Sequence, residues 1–348
     1  MKLKKMLALA LACALMTLAF AGCQSEAPAA GKKSVGLITD TGGVKDQSFN
    51  QSAWESLQRA QGDFDLEITF LESKTEADYK THIETMVDEG KDLIWGVGFM
   101  MGDSIKKAAG DYPDQKFAII DYAYGEDEIP NKNVTGVVFQ AEQCSFLVGY
   151  IAGKMTQTGK VGHINGTPSG TMEGFAVGFY AGVKYANPDC EVMGQYSGFF
   201  DNPETGKSIA NQYYADGCDI IYSACGFTGT GAIEAAKEKG LWAIGVDKDQ
   251  NYLAPANILT SALKRVDVAV YDVTKKMNEG TFVGGDTLVY SLANEGVGYA
   301  TTGGHIPAEI VTEVDQLIKD IIAGTVDVPA TKAEIDAMYP GFYTMPGA

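Results

Sequence analysis

Residues 34–57 read SVGLITDTGGVKDQSFNQSAWESL. The first six form a short apolar run with β-branched residues, which is typical of a buried strand. Two glycines and two aspartates follow, and Ser-Phe-Asn then opens a helical pattern from Ser48 to Ala60. A strand that leads through such a loop into a helix is the repeating unit of α/β folds, and the loop usually holds something against the helix N-terminus.

The same alternation continues along the chain. Further runs that predict strands are 66–72, 92–98, 116–121, 134–139, 160–166, 191–198, 219–226, 241–247 and 258–263. Helical patterns lie between them at 77–89, 143–155, 174–185, 206–214 and 230–239. Several strand runs are almost continuously apolar, which indicates parallel sheets covered on both faces.

The strands fall into two similar sets with a break near residues 140–145. This predicts an α/β protein of two doubly wound lobes around a cleft, with the first lobe at 34–140 and the second at 141–263. A helical pattern at 265–278 and one further strand in TLVYSLANEGVGYAT (287–301) follow. We expect this part, within 264–348, to complete both lobes.

The N-terminus has the pattern of an export signal. Three lysines in the first five residues precede an apolar run that ends in Phe20-Ala21-Gly22-Cys23. This resembles a lipobox, with phenylalanine in place of the usual leucine, and predicts a signal peptide at 1–22 and a lipid on Cys23. The polar stretch 23–33 is expected to be a flexible tether. The prediction is therefore a lipid-anchored protein on the extracytoplasmic face of the cell membrane; the alternative is a secretory signal with an incidental cysteine.

The net charge argues against nucleic-acid binding, and the cysteine spacing argues against a metal site. The formal net charge is −18, and loss of the signal would make it more negative. Such an acidic chain argues against nucleic-acid binding. Beyond Cys13 and Cys23, four cysteines lack metal-binding spacing and are expected to be buried small apolar residues, with disulfide pairing left open: Cys144, Cys190, Cys218 and Cys225. The scattered His82, His163 and His305 are expected on the surface or in loops.

Polar or small residues follow several predicted strands. They are Asp40, Asp121, Asn165, Gly226, Asp247 and Lys264. A lone aspartate at such a position is more often a helix cap. Because the carboxyl ends of parallel strands in two facing sheets meet at one cleft, the set as a whole predicts a ligand site there.

The sequence of the loop at 40–50 restricts the kinds of ligand and reaction that fit this site. It lacks GxxxxGK[ST] and GxGxxG, and Asp40 and Asp46 would repel a phosphate. Asp40, Asp46 and Asp121 could supply oxygen ligands for a metal, but no calcium-loop register is present, and Asp46 or Ser48 more simply caps the following helix. No nucleophile motif occurs, so the sequence predicts neither an enzyme nor a cofactor.

A neutral, flat, polar ligand fits the residues better. Phe49 offers one aromatic face, and candidates from the second lobe could complete a sandwich: Phe175, Phe199, Phe200 and Phe227. Carboxylates such as Asp40 and Asp121 accept hydrogen bonds from ring N–H and amino groups. An Asp247–Lys264 pair would suit a vicinal diol.

Six segments resemble a known family. They are DTGGVKDQSFNQSAWESL (40–57), FAIID (117–121), FAVGFYAGVK (175–184), YSGFFDNPETGKSIANQYYADGCDIIYSACGFTGTG (196–231), IGVDKDQ (244–250) and LTSALKRVD (259–267). In these the chain is similar to the basic membrane protein family of substrate-binding lipoproteins, which serve ABC transporters and include purine nucleoside receptors. Two departures lie near the expected site: Gly174 stands where the family often has arginine, and Gly226-Phe227-Thr228 stands where it usually has a glycine pair followed by Thr-Gly.

The resemblance implies a type I periplasmic-binding-protein fold and a set of ligand-binding residues. Those implied to contact the base from the first lobe are Asp40, Phe49, Asn50 and Asp121. From the second lobe, Gly226 is implied to reach the ligand, and Asp247 and Lys264 are implied to contact the ribose. Phe175 and Phe200 both match family phenylalanines, and either could close the sandwich.

The implied function is capture of a purine nucleoside (guanosine, adenosine or inosine) by hinge closure, with delivery to an ABC transporter permease and no catalysis. Three alternatives stay open. The same fold could bind a free sugar, a signalling furanose or another nucleoside-like solute. The aspartates could serve a nucleoside-hydrolysing enzyme. The closed form could also be read by a receptor in a sensing role instead of by a permease.

Overall fold

Two six-stranded sheets, each flanked by helices, build the protein. The computed structural model describes residues 31–125 and 127–345, and its residues from Lys33 onward belong to one compact unit. The predicted signal peptide, Cys23 and most of the predicted tether lie outside the described residues. The prediction of an α/β fold with two mainly parallel sheets is confirmed.

The strands follow the apolar runs closely. In chain order they are β1 (Ser34–Thr39), β2 (Glu67–Glu72), β3 (Leu93–Val97), β4 (Phe117–Ile120), β5 (Val134–Phe139), β6 (Lys160–Asn165), β7 (Glu191–Tyr196), β8 (Ile220–Ala224), β9 (Trp242–Asp247), β10 (Ile258–Lys264), β11 (Thr287–Tyr290) and β12 (Val297–Tyr299). The first sheet has the order β11-β5-β4-β3-β1-β2, and the second has the order β12-β10-β9-β8-β6-β7. The two orders correspond position by position, so each strand of one sheet has a counterpart in the other.

The helices lie on the faces of these sheets, as parallel crossovers require. They are α1 (Phe49–Phe64), α2 (Ala77–Asp88), α3 (Gly102–Asp111), α4 (Ala141–Met155), α5 (Gly170–Ala186), α6 (Pro203–Ala215), α7 (Thr228–Lys239), α8 (Val266–Glu279), α9 (Ala308–Ile322) and α10 (Lys332–Met338). Side-chain hydrogen bonds cap the N-termini of several of these helices. Ser169 accepts the Met172 N–H before α5, and Asn202 accepts the Thr205 N–H before α6, which has Pro203 in its first turn.

The chain passes between the lobes three times. It leaves the first sheet after β5, returns after β10 to form α8 and β11, and leaves again between β11 and β12. Backbone hydrogen bonds tie the crossings together: the Gln140 N–H donates to the Tyr290 carbonyl at 2.8 Å, and the Arg265 N–H donates to the Gly296 carbonyl at 2.9 Å. The three crossings therefore form one connected hinge.

The prediction of a single strand within residues 287–301 is wrong. The segment TLVYSLANEGVGYAT forms two short strands in different sheets, with β11 parallel to β5 and β12 antiparallel to β10. Between them Ser291 and Asn294 form a capping box around a short 3₁₀ turn, and Glu295 is left-handed with φ 57°. This turn redirects the chain across the cleft, which a single strand could not do.

Helices α4 and α5 pack through glycines in the core of the second lobe. A Cβ atom added at Gly178 would lie 2.2 Å from the Glu142 carbonyl oxygen, and one at Gly182 would lie 2.1 Å from that of Phe146. From the facing helix, a Cβ at Gly149 would lie 2.3 Å from the Phe179 carbonyl oxygen. The two backbones can approach this closely only because these positions lack side chains.

The expectation for the four cysteines is confirmed, whereas the expectation for one histidine is wrong. Cys144, Cys190, Cys218 and Cys225 are buried and unpaired, as expected of small apolar residues. The expectation that the histidines lie on the surface or in loops is wrong for His163, which lies on β6, fully buried between the rings of Phe179 and Tyr222. Burial lowers the pKa of this imidazole to about 3, so it is neutral and packs as an aromatic ring.

Within the described residues, two kinds of feature were not found. None of their helices is both long and apolar enough to cross a bilayer. None of their histidine, cysteine, aspartate and glutamate side chains gather in threes in a way that suits a metal ion.

Candidate ligand-binding site

The carboxyl ends of the strands from both sheets meet around one cavity between the lobes. The space between its lining atoms, including solvent at its mouth, is about 470 Å³. Its lining residues are Asp40, Gly42, Asp46, Phe49, Asn50, Gly98, Phe99, Asp121, Met172, Phe175, Phe200, Ala224, Gly226, Val246, Asp247 and Lys264. All nine residues named from the family resemblance as ligand contacts are among them.

Asp46 organises the loop quoted at the outset. Its carboxylate accepts the backbone N–H groups of Ser48, Asn50 and Gln51 at 2.9, 2.8 and 3.0 Å. These groups lie at the N-terminus of α1 and have no partner within the helix. Asp46 therefore caps α1 from outside it, and its oxygens are occupied by the protein itself.

Asp40 and Asn50 extend this network into the cavity. Asp40 follows β1, and its Oδ1 accepts the Gly42 N–H at 2.9 Å and the Asn50 Nδ2–H at 2.7 Å. The second Asn50 amide hydrogen goes to Asp46 Oδ2 at 2.9 Å. Both amide hydrogens are thus engaged by carboxylates, which fixes the orientation of the Asn50 side chain.

Asp121 and Asp247 occupy corresponding places in the two lobes, directly after β4 and at the end of β9. Both have left-handed backbone, each with φ 65°. Non-glycine residues seldom adopt this conformation, and those that do are often at functional sites. The left-handed turn ends each strand and directs the chain away from it, which leaves both carboxyls at the cleft.

Lys264 lies at the centre of the site. It ends β10, and its ammonium is hydrogen bonded to Asp121 Oδ2 across the cleft, with the two side chains 1% and 5% exposed. Three rings surround the ammonium, with centroids 4.6, 5.1 and 5.6 Å away in Phe49, Phe139 and Phe175. Ion pair and ring faces together offset the loss of hydration. Asp247, which was expected to contact a diol together with Lys264, also lines the cavity, and its Oδ2 accepts a hydrogen bond from Ser48.

Phe200 is the ring of the second lobe that crosses towards the first. It lies over Gly166, where a Cβ atom would be 2.0 Å from the ring, and its centroid is 6.2 Å from that of Phe99 in an edge-on contact. Phe175 is buried on α5, and its ring faces Lys264. Phe175 and Phe200 both belong to the second lobe and both line the cavity.

Further contacts join the lobes at the rim of the cavity. Gln47 accepts hydrogen bonds from Gln250 Nε2 at 2.9 Å and from the Tyr252 hydroxyl at 2.8 Å. Lys248 Nζ lies 2.6 Å from Glu55 Oε2. Together with Ser48–Asp247, these contacts connect α1 and the loop before it to the end of β9 and the loop after it. The structure is therefore the closed form of the cleft.

Burial changes the protonation of two cavity carboxyls. Loss of hydration raises the pKa of Asp40 to about 7, against the hydrogen bonds from Gly42 and Asn50 that lower it. Loss of hydration likewise raises the pKa of Asp247 to about 6, against the effects of Lys264 and Ser48. Closing the cleft without a ligand that donates hydrogen bonds therefore favours protonation of both groups.

We expect closure of the empty protein to depend on pH. In an open cleft these carboxyls face water, and their pKa values return towards about 4. The closed form then binds more protons than the open form between about pH 4 and 7, so acidification over this range favours closure. Small-angle scattering of ligand-free protein should give a smaller radius of gyration at pH 5 than at pH 8. An equal or larger radius at pH 5 would contradict this, and an Asp40→Asn, Asp247→Asn variant should lose most of the difference.

Some lining residues were missed from the sequence, and one was expected nearer the site. Phe99 follows β3, so the strand-end rule used for Asp40 and Asp121 would have found it. Met172, in the first turn of α5, carries no such signal. Gly174 does not line the cavity: a Cβ there would be 3.8 Å from Glu142 Oε2 and 3.9 Å from the Ala330 carbonyl oxygen. Phe227 is also outside the described lining, so neither departure from the family pattern changes the cavity wall directly.

Comparisons with known proteins agree with this architecture. The model of the family described as "ABC transporter substrate-binding protein PnrA-like" matches residues 32–332. Basic membrane protein A of Borreliella afzelii is 38% identical over 315 residues, which cover 90% of this chain and 96% of that protein. Basic membrane protein A of Borreliella burgdorferi is 40% identical over 311 residues, covering 88% and 91%.

A solved structure shares the fold. The crystal structure of an ABC transporter solute-binding protein from Aeropyrum pernix K1 superposes with a TM-score of 0.77 and 29% identity. The match covers 88% of this chain and 96% of the other. The two lobes and their intervening cleft thus belong to a solute-binding architecture.

Proposed function

This chain belongs to the PnrA-like family of ABC transporter substrate-binding proteins, and we propose that it captures a purine nucleoside and delivers it to an ABC permease. Capture occurs by closure of the two lobes on the ligand. The protein acts outside the cytoplasm, held to the cell membrane by a lipid on Cys23. It binds its ligand without chemical change.

The convergence of rings and hydrogen-bond acceptors on one closed cavity carries this proposal. Phe49 of the first lobe and Phe200 of the second supply faces for a flat heterocycle. Asp40, Asn50 and Asp121 supply acceptors at its edge. Purine bases have both the apolar faces and the N–H groups that such a pocket needs.

The ribose is assigned to the other end of the site. Asp247 Oδ1 has no hydrogen-bond partner in the described part of the chain, while Oδ2 is held by Ser48. A carboxylate oxygen of this kind accepts hydroxyl hydrogens, and the Lys264 ammonium donates to hydroxyl oxygens. The pair suits a vicinal diol although its members do not bond each other directly. A phosphate would meet four aspartates in the lining, so a nucleoside is favoured over a nucleotide.

Calorimetric titration tests the proposal. The protein would be unfolded and refolded to remove carried-over ligand, then titrated with guanosine, adenosine, inosine, cytidine, uridine and ribose. We expect one-to-one binding of at least one purine nucleoside, returned intact on product analysis. Binding of ribose alone would indicate a sugar receptor, and release of free base would indicate a hydrolase; either result contradicts the proposal.

Two substitutions test the site assignment. Phe49→Ala removes a stacking face and Asp247→Ala removes the diol acceptor, so each should weaken nucleoside binding by about tenfold or more. Phe70→Ala and Asp189→Ala are matched controls, because both side chains are exposed and outside the cavity lining. Unchanged affinity in both site variants, with folding verified by circular dichroism, would refute the assignment.

A further inference from the structure

The Gln250 side chain reaches from the second lobe to the first. Gln250 follows β9 and is 2% exposed. Its Nε2 donates to the Gln47 carbonyl, in the loop before α1, at 2.9 Å. Neither residue is among the described residues that line the cavity. This hydrogen bond therefore joins the lobes without touching the space that a solute would fill.

The second lobe holds the Gln250 amide in one orientation. Its Oε1 accepts the Val246 N–H at 2.9 Å, and the Gln250 backbone N–H donates to Ser261 Oγ at 3.1 Å. Gly245 leaves the room that the side chain needs, because a Cβ there would lie 2.7 Å from Gln250 Oε1. Turning the amide over would put two donors together at Val246 and two acceptors together at Gln47. The Nε2 group is therefore directed at the first lobe by contacts within the second lobe alone.

The first lobe presents Gln47 in an equally fixed way. The backbone of Gln47 is left-handed, with φ 59°, between Asp46 and Ser48. Asp46 accepts the N–H groups that begin α1, so this turn is tied to the helix. The Gln47 side chain also takes part, since its Oε1 accepts the Tyr252 hydroxyl at 2.8 Å. The carbonyl and the side chain of one residue thus bind two side chains of the other lobe.

We propose that residues 248–252 form a latch on the first lobe that holds the cleft closed, with Gln250 as its positioning residue. The inference rests on capture by closure, as proposed above, and does not depend on which solute is captured. Protein groups make both sides of every latch contact, so the latch favours closure equally around any solute and in the empty protein. It therefore raises the affinity for all solutes by one factor and slows their release, while the cavity residues decide which solute binds.

Gln250→Met tests the latch, because methionine keeps the length of the side chain and removes the donor. The bond to Val246 is lost as well, but it lies within one lobe and is the same in the open and closed forms. With guanosine and inosine as probes, both affinities should fall by the same factor, about fivefold, through faster dissociation. Wild-type affinity for both, or a loss for one nucleoside only, would overturn the inference and leave the proposed function standing. The matched control is Gln212→Met, at an exposed glutamine of α6, which should change neither affinity.

Small-angle scattering of the solute-free proteins separates the latch from the proposed function, because it needs no ligand. At pH 5, where we expect closure to be favoured, Gln250→Met should have a larger radius of gyration than wild type and Gln212→Met. An equal radius would overturn the inference even if nucleosides bind. If no nucleoside binds, the proposed function fails, and the scattering alone decides whether the latch exists.

A second variant keeps the test decisive if Gln250→Met does not fold. The double variant Lys248→Met, Tyr252→Phe changes the rim of the latch, where the Lys248 side chain is 22% exposed and Tyr252 is 50% exposed. It removes the ion pair with Glu55 and the hydroxyl bond to Gln47. It should weaken guanosine and inosine binding by one common factor, about threefold, and enlarge the solute-free radius at pH 5. Wild-type values of affinity and radius in this variant would overturn the inference.

Discussion

Replacing Lys264 by methionine is expected to weaken nucleoside binding by about a hundredfold or more. Methionine keeps much of the packing against Phe49, Phe139 and Phe175 but removes the charge that pairs with Asp121. Removing one partner of a buried ion pair costs about 3–5 kcal/mol, because the other charge is left without compensation. The cost falls on the closed form, since an open cleft lets water reach Asp121. Each 1.4 kcal/mol lost from closure lowers affinity about tenfold.

The control for this prediction is Lys160→Met. Lys160 Nζ lies 3.0 Å from Glu191, but the two side chains are 28% and 60% exposed. A surface pair of this kind contributes about 1 kcal/mol or less, and it is outside the cavity lining, so nucleoside affinity should be unchanged. Calorimetry on both variants gives the comparison. Equal affinities for Lys264→Met and wild type would show that the buried lysine does not stabilise the closed form.

The loss of nucleoside affinity caused by Lys264→Met should also depend on pH. Lys264 lowers the pKa of Asp247, which burial raises to about 6, so removing the lysine raises that pKa further. Above it, the variant must bury an uncompensated carboxylate; below it, the carboxyl is neutral and the penalty is relieved. The ratio of wild-type to variant affinity should therefore be larger at pH 8 than at pH 5. A ratio independent of pH would contradict the electrostatic explanation.

Replacing Gly182 by alanine is expected to lower the free energy of unfolding by about 3 kcal/mol. The added methyl group would lie 2.1 Å from the Phe146 carbonyl oxygen, so α4 and α5 must move apart across a fully packed core. Ordinary helix propensity acts in the opposite direction, because alanine is a better helix former than glycine. Since α5 also carries Phe175, nucleoside affinity should fall together with stability.

Gly62→Ala is the matched control for this change. Gly62 lies within α1, is exposed, and has open space where a Cβ would be placed. The same substitution there should raise stability by about 0.5–1 kcal/mol. Urea titrations of both variants give the two free energies. A Gly182→Ala protein as stable as wild type would mean that the helices tolerate separation.

Much of this fold could be predicted from the sequence because its strands are short, apolar and regularly alternated with helices. The first ten predicted strands all form. Of the residues named after them, Asn165 does not line the cavity and instead donates to the Met172 carbonyl; the other five do line it, because the carboxyl ends of parallel strands share one edge. The segment at 287–301 was less predictable. Its two halves belong to different sheets, and the capped turn at Ser291–Asn294 depends on both lobes being in place.

The parts of the site that could not be predicted from the sequence depend on contacts between residues that are far apart in the chain. The ion pair between Lys264 and Asp121, 143 residues away in the sequence, was not predicted. The contacts of Gln47 with Gln250 and Tyr252 had no local signal. His163 was misplaced for a related reason, because only the packed rings of Phe179 and Tyr222 make burial of an imidazole favourable.

The three bonded crossings of the hinge have a mechanical consequence. Sliding one lobe past the other would break the hydrogen bonds between Gln140 and Tyr290 and between Arg265 and Gly296, whereas bending all three crossings together keeps them. These hydrogen bonds therefore favour bending over sliding. Because they lie in the crossings and outside the cavity lining, residues of the cavity can change while the segments about which the lobes bend stay the same.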